Sequence, residues 1–241
     1  MVKVRAVAVD VDGTITDGSM KLSTAAVEAI RRLEESGVRV MLASHNALCV
    51  VKALATYIGC TGPIICEGGG VVEYAGRLRR LGSKLVARRA LARLKEAFDG
   101  LIEESWSNRF RLVDQAFTSS LDRARLEEAL KGVEGVKLVY TGFAYHVVDS
   151  SVDKGRGLRV ASRLVGVKPS EVVAVGDSDV DVDMLLSSGL GVALGNATER
   201  LKEAADLILD EDYGEGFTKL ASMILSGELN RALRPPSRTP P

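Results

Sequence analysis

Two groups of acidic residues have the spacing to do chemistry. Asp10 and Asp12 lie in the run Asp10-Val11-Asp12-Gly13-Thr14, and Asp177, Asp179, Asp181 and Asp183 crowd the segment 176–183. Residues i and i+2 of an extended chain point the same way, so Asp10 and Asp12 converge on one small space. Converging carboxylates repel, and a bound divalent cation removes that cost. Their tasks can then separate, one carboxylate attacking phosphorus while the other moves protons. Four acids in seven residues also need a cation, and carboxylate oxygens with retained waters suit Mg²⁺. The spacing is not that of an EF-hand, because no Gly stands at the sixth loop position and no Glu at the twelfth. Asp177 reads as a direct ligand and Asp181 as a direct or water-mediated one. Asp179 and Asp183 read as solvated or helix-start residues.

Two further candidates are weaker alone. Ser44-His45-Asn46 follows an apolar run and opens a helix, where a hydroxyl and free backbone N–H groups make an anion site. Taken by itself, Ser44 or Asn46 is more readily a helix cap. Lys154 also stands at a helix start, where its ammonium could neutralise a phosphate and hold Asp10 in attacking geometry. In isolation such a lysine is usually a surface residue.

Elements must deliver these residues to one place. Val4–Val9 is a run of small and β-branched apolar residues, as in a parallel strand buried on both faces. Helix 24–36, strand 38–43, helix 47–58 and strand 63–66 follow, giving the βαβαβ order of a right-handed parallel sheet. From about residue 81 the pattern changes to helix 87–98, strands 105–110 and 111–118, helix 122–131 and strands 136–140 and 144–149. Short turns between strands imply antiparallel hairpins. Strand–helix alternation resumes with helix 155–165 and strand 172–175 and runs to about residue 225. The expected organisation is a core of 1–80 and 153–228, an inserted α+β cap of 81–152, and a disordered Pro/Ser-rich tail of 229–241. The expected fold is thus α/β: a doubly wound, mostly parallel, Rossmann-like sheet with an inserted cap.

Composition narrows the partners. The formal net charge is zero, whereas a nucleic-acid binder usually carries a basic excess. No run approaches the ~20 apolar residues of a membrane helix. The N-terminal apolar run reaches Asp10 too soon for a signal peptide. Cys49, Cys60 and Cys66 show no metal-binding spacing and read as buried free thiols, which fits a cytoplasmic protein. The basic residues Arg77, Arg79, Arg80, Lys84, Arg88, Arg89 and Arg93 read as a solvated helix face. A homodimer is left open.

In order, Asp-x-Asp-Gly-Thr, a serine at a strand end, a lysine and Gly-Asp-Ser-x-x-Asp resemble the four motifs of the haloacid-dehalogenase phosphatases. An α+β cap between the second and third motifs resembles the subclass that holds sugar-phosphate phosphatases and archaeal phosphoglycolate phosphatases, and the short chain favours the latter. The resemblance implies a Mg²⁺-dependent hydrolase of a small phosphate ester, most simply 2-phosphoglycolate, acting through an aspartyl-phosphate. The alternatives are a sugar-phosphate or mannosyl-3-phosphoglycerate phosphatase, a phosphomutase, or a non-hydrolytic phospho-acceptor module. By resemblance Asp10 is nucleophile and metal ligand, and Asp12 is general acid–base with its backbone carbonyl on the metal. Ser44, His45 and Lys154 bind phosphate, and Asp177 and Asp181 serve the magnesium. Trp106, Asn108 and Arg109 are candidate specificity residues. Three positions depart from the family pattern: His45 and Gly68, where the family usually has Gly and often Asn, and Val180, where it often has Asn. The His45 side chain enters the site or projects into the cap interface, the latter being favoured.

Overall fold

The alternation along the first strand sets the layers. In β1 (Ala6–Asp10) all five residues are buried. Val7 and Val9 face one apolar cluster and Ala6 and Ala8 the other. A strand with two buried faces belongs in the middle of a helix-covered sheet. The computed structural model describes residues 3–233. After β1 come α1 (Thr24–Glu35), β2 (Arg39–Ala43), α2 (Leu48–Ile58) and β3 (Ile64–Cys66). Ser23 caps α1 by accepting the Ala26 N–H at 3.3 Å. Later elements are α5 (Lys154–Leu164), β10 (Val172–Gly176), α6 (Val182–Leu186), β11 (Leu190–Ala193), α7 (Glu199–Ala204), β12 (Leu207–Ile208) and α8 (Tyr213–Ser226).

These strands form an eight-stranded sheet in the order β12-β11-β10-β1-β2-β3-β4-β5. It is parallel from β12 to β3 and antiparallel across β4 (Val71–Tyr74) and β5 (Arg77–Arg80). Helices α1, α2 and α8 cover one face, and α5, α6 and α7 the other. The chain leaves β1 toward β2 on one side and β10 lies on the other. The crevice at the carboxyl ends beside β1 is therefore the place where a ligand fits.

The terminal hairpin was not foreseen. Arg77, Arg79 and Arg80 stand exposed on the edge strand β5 rather than on a helix face. Lys84, Arg88, Arg89 and Arg93 are on the next helix, α3 (Lys84–Ala97). Charge on an outer strand blocks further pairing, which gives the basic stretch a structural reason.

The second sheet is antiparallel, in the order β6-β7-β9-β8, from β6 (Glu103–Glu104), β7 (Gln115–Thr118), β8 (Val136–Tyr140) and β9 (Tyr145–Asp149). Helices α3 and α4 (Arg123–Ala129) pack on one side around Leu91, Leu94, Phe117, Leu126, Leu138 and Val147. The two strands expected over 105–118 are largely absent. Residues 106–109 form a 3₁₀ turn, and pairing resumes only at Gln115. Two other expectations are corrected. Cys49 is exposed and only Cys66 is buried. Glu228–Arg231 is a 3₁₀ turn with Leu229 and Leu233 buried, and Asn230 Oδ1 accepts the Val4 N–H at 3.0 Å. The rest of the expected tail, 234–241, lies outside the described residues.

A buried ionic cluster seats the cap on the core. Glu67, just after β3, accepts the backbone N–H groups of Leu112 (2.8 Å), Val113 (2.7 Å) and Asp114 (3.1 Å). Arg111 donates from one nitrogen to both Asp114 oxygens, each at 2.9 Å, and to the His45 carbonyl at 3.0 Å. Burial pushes the Glu67 carboxyl up to about 7, with Asp114 adding to the effect. Burial also opposes charge on Asp114, but Arg111 and His146 outweigh it and hold that carboxyl well below the usual range. Asp114→Ala strands Arg111 as a buried unpaired cation and should cost about 3–5 kcal/mol by urea unfolding at neutral pH. Because the folded carboxyl is depressed, the wild-type advantage should be complete above the unfolded value of roughly 4 and shrink as pH falls below it. Equal midpoints for the two proteins at pH 7 would refute this role.

Candidate active site

Four chain segments meet at the carboxyl end of β1. Asp10 is the last residue of β1, Ser44 follows β2, Asp177 follows β10, and Lys154 is the first residue of α5. Local sequence explains each placement. Gly13 has φ +90°, and a Cβ there would lie 2.3 Å from the Asp177 carboxylate, so only glycine lets that side chain reach the β1 turn. Thr14 Oγ1 then donates to Asp177 Oδ1 at 2.9 Å. Asp153 caps α5 by accepting the Arg156 N–H at 2.6 Å, which starts the helix at Lys154.

Lys154 is 1% exposed. Its ammonium donates to Asp10 Oδ1 and, at 2.6 Å, to Asp181 Oδ1. The other Asp181 oxygen accepts from the backbone N–H groups of Asp177 (3.3 Å) and Ser178 (3.2 Å) and from the Ser178 hydroxyl. Asp12 points elsewhere. Its Oδ2 accepts from the Ser44 hydroxyl at 3.3 Å and from the Asn46 amide at 2.9 Å. Asn46, read from sequence only as a cap, is thus part of the site.

Carboxylate oxygens of Asp10, Asp177 and Asp181 lie within 4.8 Å of one another. Burial raises the Asp10 carboxyl well above its ordinary value, helped by Asp181 and Asp177 and opposed by Lys154. Burial and Asp181 push Asp177 up to about 6. Burial also raises Asp12. Burial opposes charge on Lys154, but Asp10 and Asp181 outweigh it and raise its pKa. Three carboxylates facing one ammonium leave negative charge uncompensated. The donor set is hard oxygen throughout, so these residues fit a small divalent cation. The Asp12 carboxylate lies outside this triad.

His45 lines the cleft and also meets the cap, with its ring edge-on to His146 at 5.4 Å between centroids. Burial lowers its pKa well below the ordinary value, and the Lys154 charge adds to this. Gly68 explains how the ring fits. Its φ is +62°, and a Cβ there would stand 2.6 Å from His45 Nε2. The two departures from the family pattern therefore share one volume. Val180 lines the same cleft, whose volume is ≈ 630 Å³.

Trp106, Asn108 and Arg109 do not line this cleft. Trp106 is 68% exposed. The Asn108 amide is committed to the Ala116 backbone at 2.9 and 2.8 Å. Arg109 stacks on Phe110, 4.9 Å from its ring centre. The cap faces the site instead with Lys137, Val139, His146 and Val148. Sequence reading missed these; the one available signal was the alternation of β8 and β9, which puts all four on the sheet face opposite Leu138 and Val147.

Comparison with known proteins identifies the family. Residues 7–97 and 112–220 match the family model of the haloacid dehalogenase-like hydrolases. The chain is 41% identical over 216 residues to a phosphoglycolate phosphatase of Methanoculleus marisnigri, covering 87% of this chain and 92% of the relative. It is 39% identical over 221 residues to a phosphoglycolate phosphatase of Archaeoglobus fulgidus, covering 91% and 96%. The crystal structure of Thermoplasma acidophilum 0175 superposes with a TM-score of 0.84 at 26% identity, covering 92% of this chain and 99% of that one. With the motif residues gathered at one sheet edge and the family model spanning both the core and the capping sheet, the chain belongs to the haloacid dehalogenase-like hydrolases.

Proposed function

We propose that this protein is a Mg²⁺-dependent phosphatase that hydrolyses a small phosphate monoester, 2-phosphoglycolate first among them. The observation that carries the reading is the buried Lys154–Asp10 pair beside a carboxylate triad at the sheet edge. The relatives named phosphoglycolate phosphatase support the substrate. Asp10, Asp177 and, directly or through water, Asp181 would hold the cation, with the Asp12 carbonyl. Bound there, Mg²⁺ offsets the negative charge that phosphate and carboxylates bring together.

The residues divide the work as follows. Lys154 fixes Asp10 and donates to a phosphoryl oxygen, as do the Ser44 hydroxyl and the His45 backbone N–H. The Asp10 carboxylate attacks phosphorus in line, forming an aspartyl-phosphate as the bond to the leaving oxygen breaks. Asp12 gives that oxygen its proton, leaving as the free alcohol. Burial raises the Asp12 pKa, which favours the protonated form that a proton donor needs. Asn46 and Ser44 hold Oδ2, which leaves Oδ1 to carry the proton. Asp12 then takes a proton from water as that water attacks the phosphorus, and the bond to Asp10 breaks to release phosphate. The cap sheet excludes bulk water.

The ≈ 630 Å³ cleft also has room for a sugar phosphate, which is the second reading. A cytoplasmic location fits the free thiols Cys49, Cys60 and Cys66. No helix among the described residues is long and apolar enough to cross a membrane.

A panel of phosphoglycolate and small sugar phosphates, assayed for phosphate release with Mg²⁺, should rank phosphoglycolate highest by kcat/KM. Asp10→Asn should lower that rate by roughly 10⁴-fold or more with an unchanged circular dichroism spectrum. Full activity in the variant would refute the nucleophile. Chelation should abolish turnover and Mg²⁺ restore it. Without substrate, Mg²⁺ should raise the wild-type melting temperature. Asp177→Asn should need at least roughly tenfold more Mg²⁺ for the same rise; an equal response would remove Asp177 from the metal site.

A further inference from the structure

Four lysine and arginine side chains line the cleft: Arg123, Lys137, Lys154 and Arg200. Three of them are already paired. Lys154 holds Asp10 and Asp181. Arg123 bonds Glu127 at 2.7 Å, one turn along α4. Arg200 lies 3.7 Å from Asp179. Lys137 has no ion pair or hydrogen bond with another described residue.

The fold aims this lysine at the site. Leu138 is buried in the cap's own apolar core, so strand alternation turns Lys137 and Val139 to the other face of β8. Val139 packs against the larger apolar cluster, which belongs mostly to the core domain. Val148, the cross-strand partner of Lys137, is a member of that cluster. β9 ends at Asp149, and α5 begins at Lys154. Lys137 therefore stands on the core-facing side of the cap sheet, at the end from which the chain runs on to the buried lysine of the site.

His146, diagonal to Lys137 across β8 and β9, cannot recognise an anion in its place. Its Nδ1 lies 2.7 Å from Asp114 Oδ2. Asp114 also takes both oxygens to Arg111, which can only donate. Asp114 is thus an ionised acceptor, and Nδ1 carries the proton. Nε2 can then only accept, as can a carboxylate. The Lys137 ammonium can only donate, and it adds a full charge.

We propose that Lys137 is the specificity residue of the cap: its ammonium pairs with a carboxylate on the leaving-group end of a short phosphate ester. Lys154 serves the phosphoryl end of the same molecule, so the substrate lies between two lysines, one from each domain. The proposal rests on the phosphatase reading and deepens it, because it names the contact that separates an acid from a neutral alcohol.

The test compares 2-phosphoglycolate with ethyl phosphate, in which a methyl replaces the carboxylate, using the full chain with Mg²⁺. The readout is the ratio of the two kcat/KM values. Lys137→Met keeps the length of the stem and removes the charge. It should lower the ratio roughly tenfold, mainly through KM for the acid, as expected for losing a hydrogen bond between charged groups. Lys137→Arg should retain most of the ratio. Lys137→Glu should favour 2-aminoethyl phosphate, whose ammonium replaces the carboxylate, over 2-phosphoglycolate. Equal losses on both esters in Lys137→Met would mean that the lysine serves the fold or the acids of the cleft, and would overturn the proposal. So would an unchanged ratio in Lys137→Met with a selective loss on the acid in Arg123→Met or Arg200→Met. A wild type that cleaves both esters without preference overturns it while the phosphatase reading stands. No hydrolysis of either ester removes the phosphatase reading itself.

Discussion

One buried ammonium holds the site together. Lys154 is shared by Asp10, 144 residues away, and Asp181, 27 residues away. Burying that cation or either acid alone would cost several kcal/mol. Together they are tolerable, so folding the halves of the core brings the charges into one place at once. The backbone is built to deliver this lysine. A Cβ on Gly69 would lie 2.0 Å from the Asp153 carbonyl, and one on Gly157 would lie 2.6 Å from Ile65. The small residues let the start of α5 sit directly against the turn after β3. The same contact places Glu67, one turn away, against the cap.

Much of this was legible from residue order alone. β1 reads as a doubly buried strand because Val and Ala alternate without a polar break, and the acids follow where the strand ends. The parallel sheet and the separate antiparallel sheet both follow from the change in periodicity. What stayed hidden depended on partners distant in sequence. Arg111 and Asp114 look like ordinary surface charges, and only contacts with Glu67, His45 and His146 bury them. Residues 105–114 contain enough β-branched and aromatic side chains to suggest strands. Their backbone donors instead go to Glu67 and to a 3₁₀ turn. The β5 strand was missed because three of its four residues are arginine, a composition that suits an edge and resembles a helix surface.

The residues at positions 45 and 68 are best understood together. A glycine at 68, in a left-handed conformation, clears the volume that the His45 ring fills. The ring then reaches His146 and joins the core to the cap through side chains as well as through backbone. Arg111 bonds the His45 carbonyl, so the residue is held at both ends. Neutral histidine is favoured there by burial and by the nearby Lys154 charge. The packing therefore brings an uncharged polar ring into the cleft without adding another cation to a site already organised around one.

Hydrogen-bond saturation separates the fully committed acids of the site from those with acceptor capacity to spare. Asp181 spends one oxygen on Lys154 and the other on two backbone N–H groups and a hydroxyl. Asp114 is equally committed, to Arg111 and His146. Both are fixed anions matched to fixed cations. Asp10, Asp12 and Asp177 have fewer donors, and burial raises all three. Their charge is balanced only in part by the chain itself. Glu67 is the instructive exception, raised to about 7 despite three backbone donors, because burial and the nearby Asp114 charge outweigh them. Incomplete balance at Asp10 and Asp177 is what fits the site to a small cation, and a site that a cation would neutralise is also one that could then accept the charge of a phosphate.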